Sequence, residues 1–379
     1  MQTPFLVVDR GILAANIERA QRWADDRGLR LRPHVKTHKC VEIGRMQTDA
    51  GASGITVATI GEAEVFADAG FDDLFVAYPL WPSDEARARV AAVSARARVL
   101  IGIDSAEAAA GWAGTGSHST DLLALKRSQN AVECDQFPET LSGPGGAGRE
   151  VRALIEVDSG HHRSGVPAEL AGELAVAAEA CGLGVEGVFT FPGHSYAPGE
   201  GRAKAAGDEA SALVSAADSL REAGVQPWVI SGGSTPSLAA TGSGLKESRP
   251  GVYVFNDAQQ WELGSCGPDD IALTCHATVV SHAGGRLVLD SGSKVLGADR
   301  PPWASGFGRL LDHPDARIVI LSEHHAVAEL AGPLPPLGST VRVVPNHACN
   351  AVNLVDALEI VEAGRRVATW AVAARGRNC

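Results

Sequence analysis

Short apolar runs rich in Val and Ile recur along the first two thirds of the chain, at 29–36, 54–60, 73–79, 97–104, 151–158, 184–191, 227–233 and 247–255. Such runs predict strands buried on both faces, as a parallel sheet requires. Between them, apolar residues return every three or four positions and predict helices. One starts near Asp9 and runs through Ile12, Leu13, Ile17, Ala20 and Trp23; others begin near His38, Gly61 and Ser83, and amphipathic ones span 168–181 and 202–223. Eight such units in about 250 residues match a closed (β/α)8 barrel of the TIM type, with a doubly wound open sheet as the alternative.

The pattern changes after Asp257. Segments 273–281, 286–290, 317–321, 340–344, 358–361 and 367–372 read as β strands, divided by turn signals such as Gly284-Gly285 and Ala363-Gly364. They predict a compact antiparallel domain of about 120 residues. The expected organisation is an α/β barrel over 10–257, with a smaller antiparallel β domain made of 1–9 and 258–379. Segment 113–149 breaks the rhythm with Gly114-Thr115-Gly116-Ser117 and Gly143-Pro144-Gly145-Gly146-Ala147-Gly148, and reads as a flexible insertion.

Composition narrows the functional classes. A net charge of −12 argues against a nucleic-acid surface, which needs clustered Lys and Arg. No apolar run approaches the ~20 residues that span a bilayer, and Met1-Gln2-Thr3-Pro4 lacks the basic and apolar regions of a signal peptide. The expectation is a cytoplasmic protein. The seven cysteines are scattered without a CxxC pair, which suits reduced, mostly buried thiols.

Against that background the polar residues at strand ends stand out, because barrel active sites are built where those ends converge. Arg32-Pro33-His34-Val35-Lys36-Thr37-His38-Lys39 closes the first strand with clustered cationic and imidazole groups. Lost solvation and neighbouring charge lower the pKa of a lysine there toward that of an amine nucleophile. Ser231-Gly232-Gly233-Ser234-Thr235-Pro236 joins glycines, which admit an anion to backbone amides, to two hydroxyl donors. Arg249-Pro250-Gly251-Val252-Tyr253 adds a bare amide, a hydroxyl and a fixed charge, and Arg163 lies in the polar loop from Asp158 to Gly165. No GxxxxGK[ST] pattern occurs and no GxGxxG follows a strand, so a single phosphate on a small cofactor fits better than a nucleotide. A lysine beside a phosphate cradle suggests pyridoxal 5'-phosphate held by an imine to Lys36. In the second domain, Pro345-Asn346-His347-Ala348-Cys349-Asn350, if extended, puts His347 and Cys349 on one face, a donor pair suited to Zn2+. Glu323-His324-His325 either supports the fold or lines the same site.

Taken in order, these motifs resemble the D-threonine aldolase/D-serine dehydratase family, related to the alanine racemase barrel, over nearly the whole chain apart from 113–149. The resemblance implies a fold-type III pyridoxal-phosphate enzyme, usually a homodimer, that takes a small D-amino acid. By position it implies Lys36 as the imine lysine, Arg163 near the cofactor ring and Arg249 close to it. Gly233, Ser234, Gly251 and Tyr253 would contact the phosphate, alongside Thr235 of the same cradle. His347 and Cys349 would hold Zn2+ or another divalent metal such as Mn2+. Family dehydratases tend to carry His-x-Cys where well-known aldolases carry His-x-Asp, which favours β-elimination from a β-hydroxy D-amino acid to a 2-oxo acid and ammonia. The alternative is retro-aldol cleavage to glycine and an aldehyde, with His194 as the candidate base; a racemase and a non-catalytic pyridoxal-phosphate carrier rank below both. Phe189 and Phe191 stand where relatives often carry polar or tyrosyl residues, leaving the partner of the ring nitrogen open.

Overall fold

In the computed structural model, which describes residues 2–115 and 150–379, the first run of elements alternates strand and helix. It comprises β1 (Phe5–Asp9), α1 (Arg10–Asp25), β2 (Arg30–Leu31), α2 (Val41–Asp49), β3 (Ile55–Val57), α3 (Ile60–Asp68), β4 (Asp73–Pro79) and α4 (Asp84–Ser94). It continues with β5 (Arg98–Ile103), α5 (Ala106–Trp112), β6 (Arg152–Glu156), α6 (Ala171–Ala180), β7 (Val185–Phe189), α7 (Gly201–Glu222), β8 (Val229–Gly232) and β9 (Glu247–Ser248). Most of segment 113–149 lies outside the described residues.

Strands β2 to β9 form one parallel sheet in the order β2-β9-β8-β7-β6-β5-β4-β3. Its two ends meet where His34, just past β2, pairs in parallel with Thr56 of β3, so the expected TIM-type barrel closes. Alternate side chains of each strand explain the closure. Phe75, Leu100, Leu154, Phe189 and Val229 form a buried cluster inside, while Leu74, Val76, Ile101, Ile103 and Ile155 pack outward against the helices. Both faces are buried, hence the unbroken apolar runs.

The remaining elements are α8 (Ala258–Glu262), β10 (Leu273–Ser281), β11 (Leu287–Leu289), α9 (Ser293–Leu296), β12 (Gly308–Leu310), β13 (His313–Leu321), β14 (Ala326–Glu329), β15 (Thr340–Pro345), α10 (Ala348–Asn353), β16 (Ala357–Glu362) and β17 (Arg365–Ala371). Their sheet is ordered β11-β14-β13-β12-β15-β10-β1-β16-β17 and closes on itself through β10 and β11. β1 is its only segment from before the barrel among the described residues. It pairs antiparallel with β10 but parallel with β16, so the domain is not purely antiparallel. The side chain of Asp9 then accepts from Gly11 N and Ile12 N and caps α1, which turns the chain from this sheet into the barrel. Among the described residues no helix is long and apolar enough to cross a membrane.

The barrel interior also carries charge. Arg32, 1% exposed, donates through Nε to Glu247 Oε2 at 2.8 Å and through NH1 to Asp73 Oδ1 at 2.8 Å. Ser231 Oγ donates to the other oxygen of Glu247 at 2.6 Å. Removing one partner of such a group strands the others without water. Glu247→Ala should therefore cost about 3–5 kcal/mol in urea unfolding, whereas Arg22→Ala, breaking an exposed pair with Glu18, should cost less than about 1 kcal/mol.

Candidate active site

The carboxyl ends of the barrel strands open into a cavity of about 510 Å³, closed on its far side by α10. A neighbouring space of about 640 Å³ shares His34, Lys36, Phe191, Arg249 and Asn378 with it. Lys36 lines both. The chain leaves the strand earlier than its apolar pattern suggests. Pro33 has no N–H to give a ladder, and His34 Nδ1 accepts from Lys36 N at 3.4 Å, turning Val35–Thr37 into a single 3-10 turn. Lys36 therefore sits just beyond the strand, and the following helix begins at Val41 rather than near His38. Burial first, then Arg163 and Arg249 against the opposing pull of Cys349, lowers the Lys36 pKa from its ordinary value. Its Nζ lies 5.7 Å from the centre of the Phe191 ring.

The two loops read as an anion cradle lie together. Ser234, Thr235, Gly251 and Val252 all line the cavity. The Oγ atoms of Ser195, Ser234 and Ser237 form a buried chain with both links at 2.8 Å. A Cβ on Gly251 would stand 2.8 Å from Thr37 Oγ1 and 3.1 Å from His34 O, so glycine there lets the ninth strand's exit lie directly on the Lys36 turn. Arg249 is buried, stacked 5.5 and 5.3 Å from the rings of Phe75 and Phe189, and burial brings its pKa down to about 10. This packing accounts for Phe189, which supports Arg249 from inside the barrel.

Other candidate residues point elsewhere. Gly233 N donates at 2.6 Å to Glu209 Oε1, a carboxylate from α7 that sequence reasoning missed. The Tyr253 hydroxyl accepts from Gln47 Nε2 at 3.0 Å, and Tyr253 lines neither cavity; its backbone N donates to Thr235 Oγ1 at 3.1 Å. Arg163 is half exposed, 5.4 Å from the Phe191 ring, and reaches only the neighbouring space. His194 lines neither space and sits with Nε2 3.4 Å from Asp208 Oδ2. Glu323 and His324 face Lys294 at an exposed edge.

His347 and Cys349 line the same cavity as Lys36, though not as an extended segment. His347 precedes α10 in extended conformation and Cys349 lies in its first turn, close enough for each to shift the other's pKa. Asp299 Oδ2 holds His347 Nδ1 at 2.5 Å, leaving Nε2 for another partner. Cys349 Sγ is hydrogen-bonded to Thr37 Oγ1 at 3.2 Å. Burial alone would raise the Cys349 pKa, but His347, Thr37 and Lys36 outweigh it and the thiol is lowered. Burial would lower His347, yet Cys349 and Asp299 hold it well above its ordinary value. A thiolate beside an imidazole whose second nitrogen is fixed by a carboxylate suits a borderline-soft divalent ion. Among the described residues no third His, Cys, Asp or Glu completes a set. For a phosphate-bearing aldehyde cofactor the fit rests on the lowered Lys36 and on the hydroxyls and bare glycine that line its cavity. Asp299 carried no sequence signal, lying 48 residues from its partner.

Comparisons with known proteins agree with this architecture. Residues 8–259 match the alanine racemase N-terminal domain, and 272–361 match a putative serine dehydratase domain. The chain is 33% identical to the D-threo-3-hydroxyaspartate dehydratase of Delftia sp. (strain HT23), over 98% of this chain and 97% of that one. The solved structure of that dehydratase superposes with a TM-score of 0.82 at 32% identity, covering 98% of this chain and 97% of that chain. A D-threonine aldolase from Arthrobacter sp. is 31% identical over 99% of this chain and 93% of its own length. Fold and site thus define an alanine racemase-like barrel enzyme with an added β domain. More narrowly, the chain belongs to the D-threonine aldolase/D-serine dehydratase family of pyridoxal-phosphate-dependent lyases.

Two outcomes follow from this geometry. Gly251→Ala should destabilise the protein by about 1–3 kcal/mol, the usual cost of overpacking, read by thermal unfolding. Glu209 is fully buried, and burial pushes its carboxyl up to about 7. The folded pKa exceeds the unfolded one, so stability is lost as pH rises through about 7. Glu209→Gln, which keeps an acceptor for Gly233 N, should gain up to about 3 kcal/mol at pH 8 and nothing at pH 4, read by denaturant titration at both.

Proposed function

We propose that this protein is a pyridoxal-phosphate- and divalent metal-dependent lyase that eliminates water from a β-hydroxy D-amino acid, giving a 2-oxo acid and ammonia. The observation that carries the reading is the shared cavity. Lys36, from the turn after the first barrel strand, and His347 and Cys349, from the β domain, line one space. The residue next to Lys36 is hydrogen-bonded to Cys349 itself. A solved variant of a D-threo-3-hydroxyaspartate dehydratase is described as a metal-free form, which supports a metal in the family.

Pyridoxal phosphate bound at Lys36 would supply an electron sink at Cα, and a divalent ion on His347 and Cys349 would supply a Lewis acid for the β-hydroxyl. The rest is the chain's own work. Burial and neighbouring cations favour the neutral amine of Lys36, so Nζ can take the Cα proton from the face of the cavity it occupies. Ser234, Thr235 and Gly251, which line the same cavity, would hold the phosphate. Asp299 orients His347, and Asp257 Oδ2 accepts from Ala348 N at 3.0 Å, anchoring the start of α10.

Elimination is favoured over retro-aldol cleavage by the position of His194. The proposed base for the aldol reaction lies against Asp208, outside the lining of both spaces. With D-serine, D-threonine and D-3-hydroxyaspartate as substrates, a 2-oxo acid should form and glycine should not; glycine with an aldehyde would assign the aldolase reaction instead. Lys36→Ala should lose at least about a thousandfold in kcat together with the visible imine absorbance. Chelation should stop turnover while leaving that absorbance, and Zn2+ or Mn2+ should restore activity.

A further inference from the structure

The lysine three residues beyond Lys36 has no part in the chemistry above, yet it is one of the most constrained side chains at the cavity. Lys39 is 6% exposed and holds a left-handed backbone with φ 50. L-residues keep such a conformation only where their surroundings impose it. Its Nζ donates to Asn353 Oδ1 at 2.8 Å and to Asn378 Oδ1 at 3.2 Å, and lies 3.4 Å from Glu62 Oε1. An ammonium has three donors and no acceptor. Two carboxamide oxygens and one carboxylate therefore surround it.

What it does instead is fix two carboxamides. A lysine can meet only the oxygen of an asparagine, so both amides have one allowed orientation, with the NH2 groups away from Lys39. Asn353 and Asn378 both line the cavity that contains Lys36, His347 and Cys349. They arrive from distant parts of the chain. Asn353 ends α10, one turn beyond Cys349. Asn378 belongs to a segment pinned to the barrel rim by Ala374 N to Lys39 O at 3.0 Å and by Thr59 Oγ1 to Arg377 O at 2.6 Å. We propose that Asn353 and Asn378, oriented by Lys39, form a subsite whose amide N–H groups bind a carboxylate of the amino-acid substrate. Oriented N–H donors beside a charge-balanced Lys39–Glu62 pair recognise carboxylate oxygens by geometry rather than by net charge.

The inference rests on the cavity being the lyase site. Its test uses the cofactor- and metal-loaded enzyme with D-serine, which has one carboxylate, and D-3-hydroxyaspartate, which has two. Asn353→Leu, Asn378→Leu and Lys39→Met should each raise KM about ten-fold or more, as loss of a hydrogen bond to a charged group implies, while kcat changes less than about three-fold. Lys39→Arg, which restores donors to both amides, should recover most of the loss; a purely structural lysine would move thermal stability and kcat together. Equal KM changes for both substrates assign the subsite to the α-carboxylate, and a larger change for D-3-hydroxyaspartate assigns it to the distal one. Asn353→Asp and Asn378→Asp, nearly isosteric, cover the case in which a leucine variant fails to fold, and should also raise KM. Binding of 3-hydroxypropionate, a carboxylate without an amine, is measured in parallel by calorimetry. It should weaken in every variant except Lys39→Arg, and it reads the subsite even if the wild-type enzyme turns over neither substrate. Unchanged KM and unchanged 3-hydroxypropionate affinity in the asparagine variants would overturn the proposal.

Discussion

The hydrogen bond between Cys349 Sγ and Thr37 Oγ1 joins the β domain to the barrel inside the shared cavity. Thr37 follows Lys36 directly, and Cys349 stands in the first turn of the helix that closes the cavity. The distance between amine and thiol is thus set by two short, stiff pieces of backbone. Each piece has its own restraint. Pro33 and His34 force the turn at Lys36, while Asp257 and Asp299 hold the start of α10 and the His347 ring. The same rim carries Lys39, whose contacts to Asn353 and to the 374–379 segment repeat the tie a few ångströms away.

Burial shifts the titrating groups at this junction, and paired charge offsets the cost of the ions buried beneath it. Lys36 loses solvation and gains cationic neighbours, so its neutral form is favoured. Cys349 and His347 shift each other, the thiol downward and the imidazole upward, as a donor pair for a divalent ion would require. Beneath them, Arg249 rests on Phe75 and Phe189, and Glu247 joins Ser231 to Arg32. An apolar interior alone could not hold Arg249 at the cavity floor, because a buried guanidinium needs acceptors; Ser231 Oγ and Thr190 O supply them.

Much of this was legible along the chain, for identifiable reasons. Strands buried on both faces write unbroken apolar runs, so all eight barrel strands could be placed from 29–36 onward. Their bounds were overestimated where a proline intervenes. Pro33 shortens the first strand and Pro250 the last, leaving Lys36 and Tyr253 in turns. His-x-Cys was read as an extended pair, and its convergence survives because a helix start also brings its first residues near the preceding side chain. The hydroxyl of Tyr253 and the N–H of Gly233 were expected to face an anion, but Gln47 and Glu209 meet them instead. Neither partner has a local signature, since each comes from a helix packed behind the loop. Asp299, Asn353 and Asn378 were invisible for the same reason: tertiary closure, not spacing, brings them to the site.

The proposed lyase divides its labour within one cavity: Lys36 would handle the Cα proton and the His347–Cys349 pair would serve departure of the β-hydroxyl. Proton NMR of D-serine in deuterium oxide, with cofactor-loaded and chelator-treated enzyme, tests it most directly. Deuterium should enter at Cα through Lys36 without release of a 2-oxo acid, and added Zn2+ should convert exchange into elimination. Elimination that continues undiminished after chelation, or Cα exchange that persists in Lys36→Ala, would contradict the account.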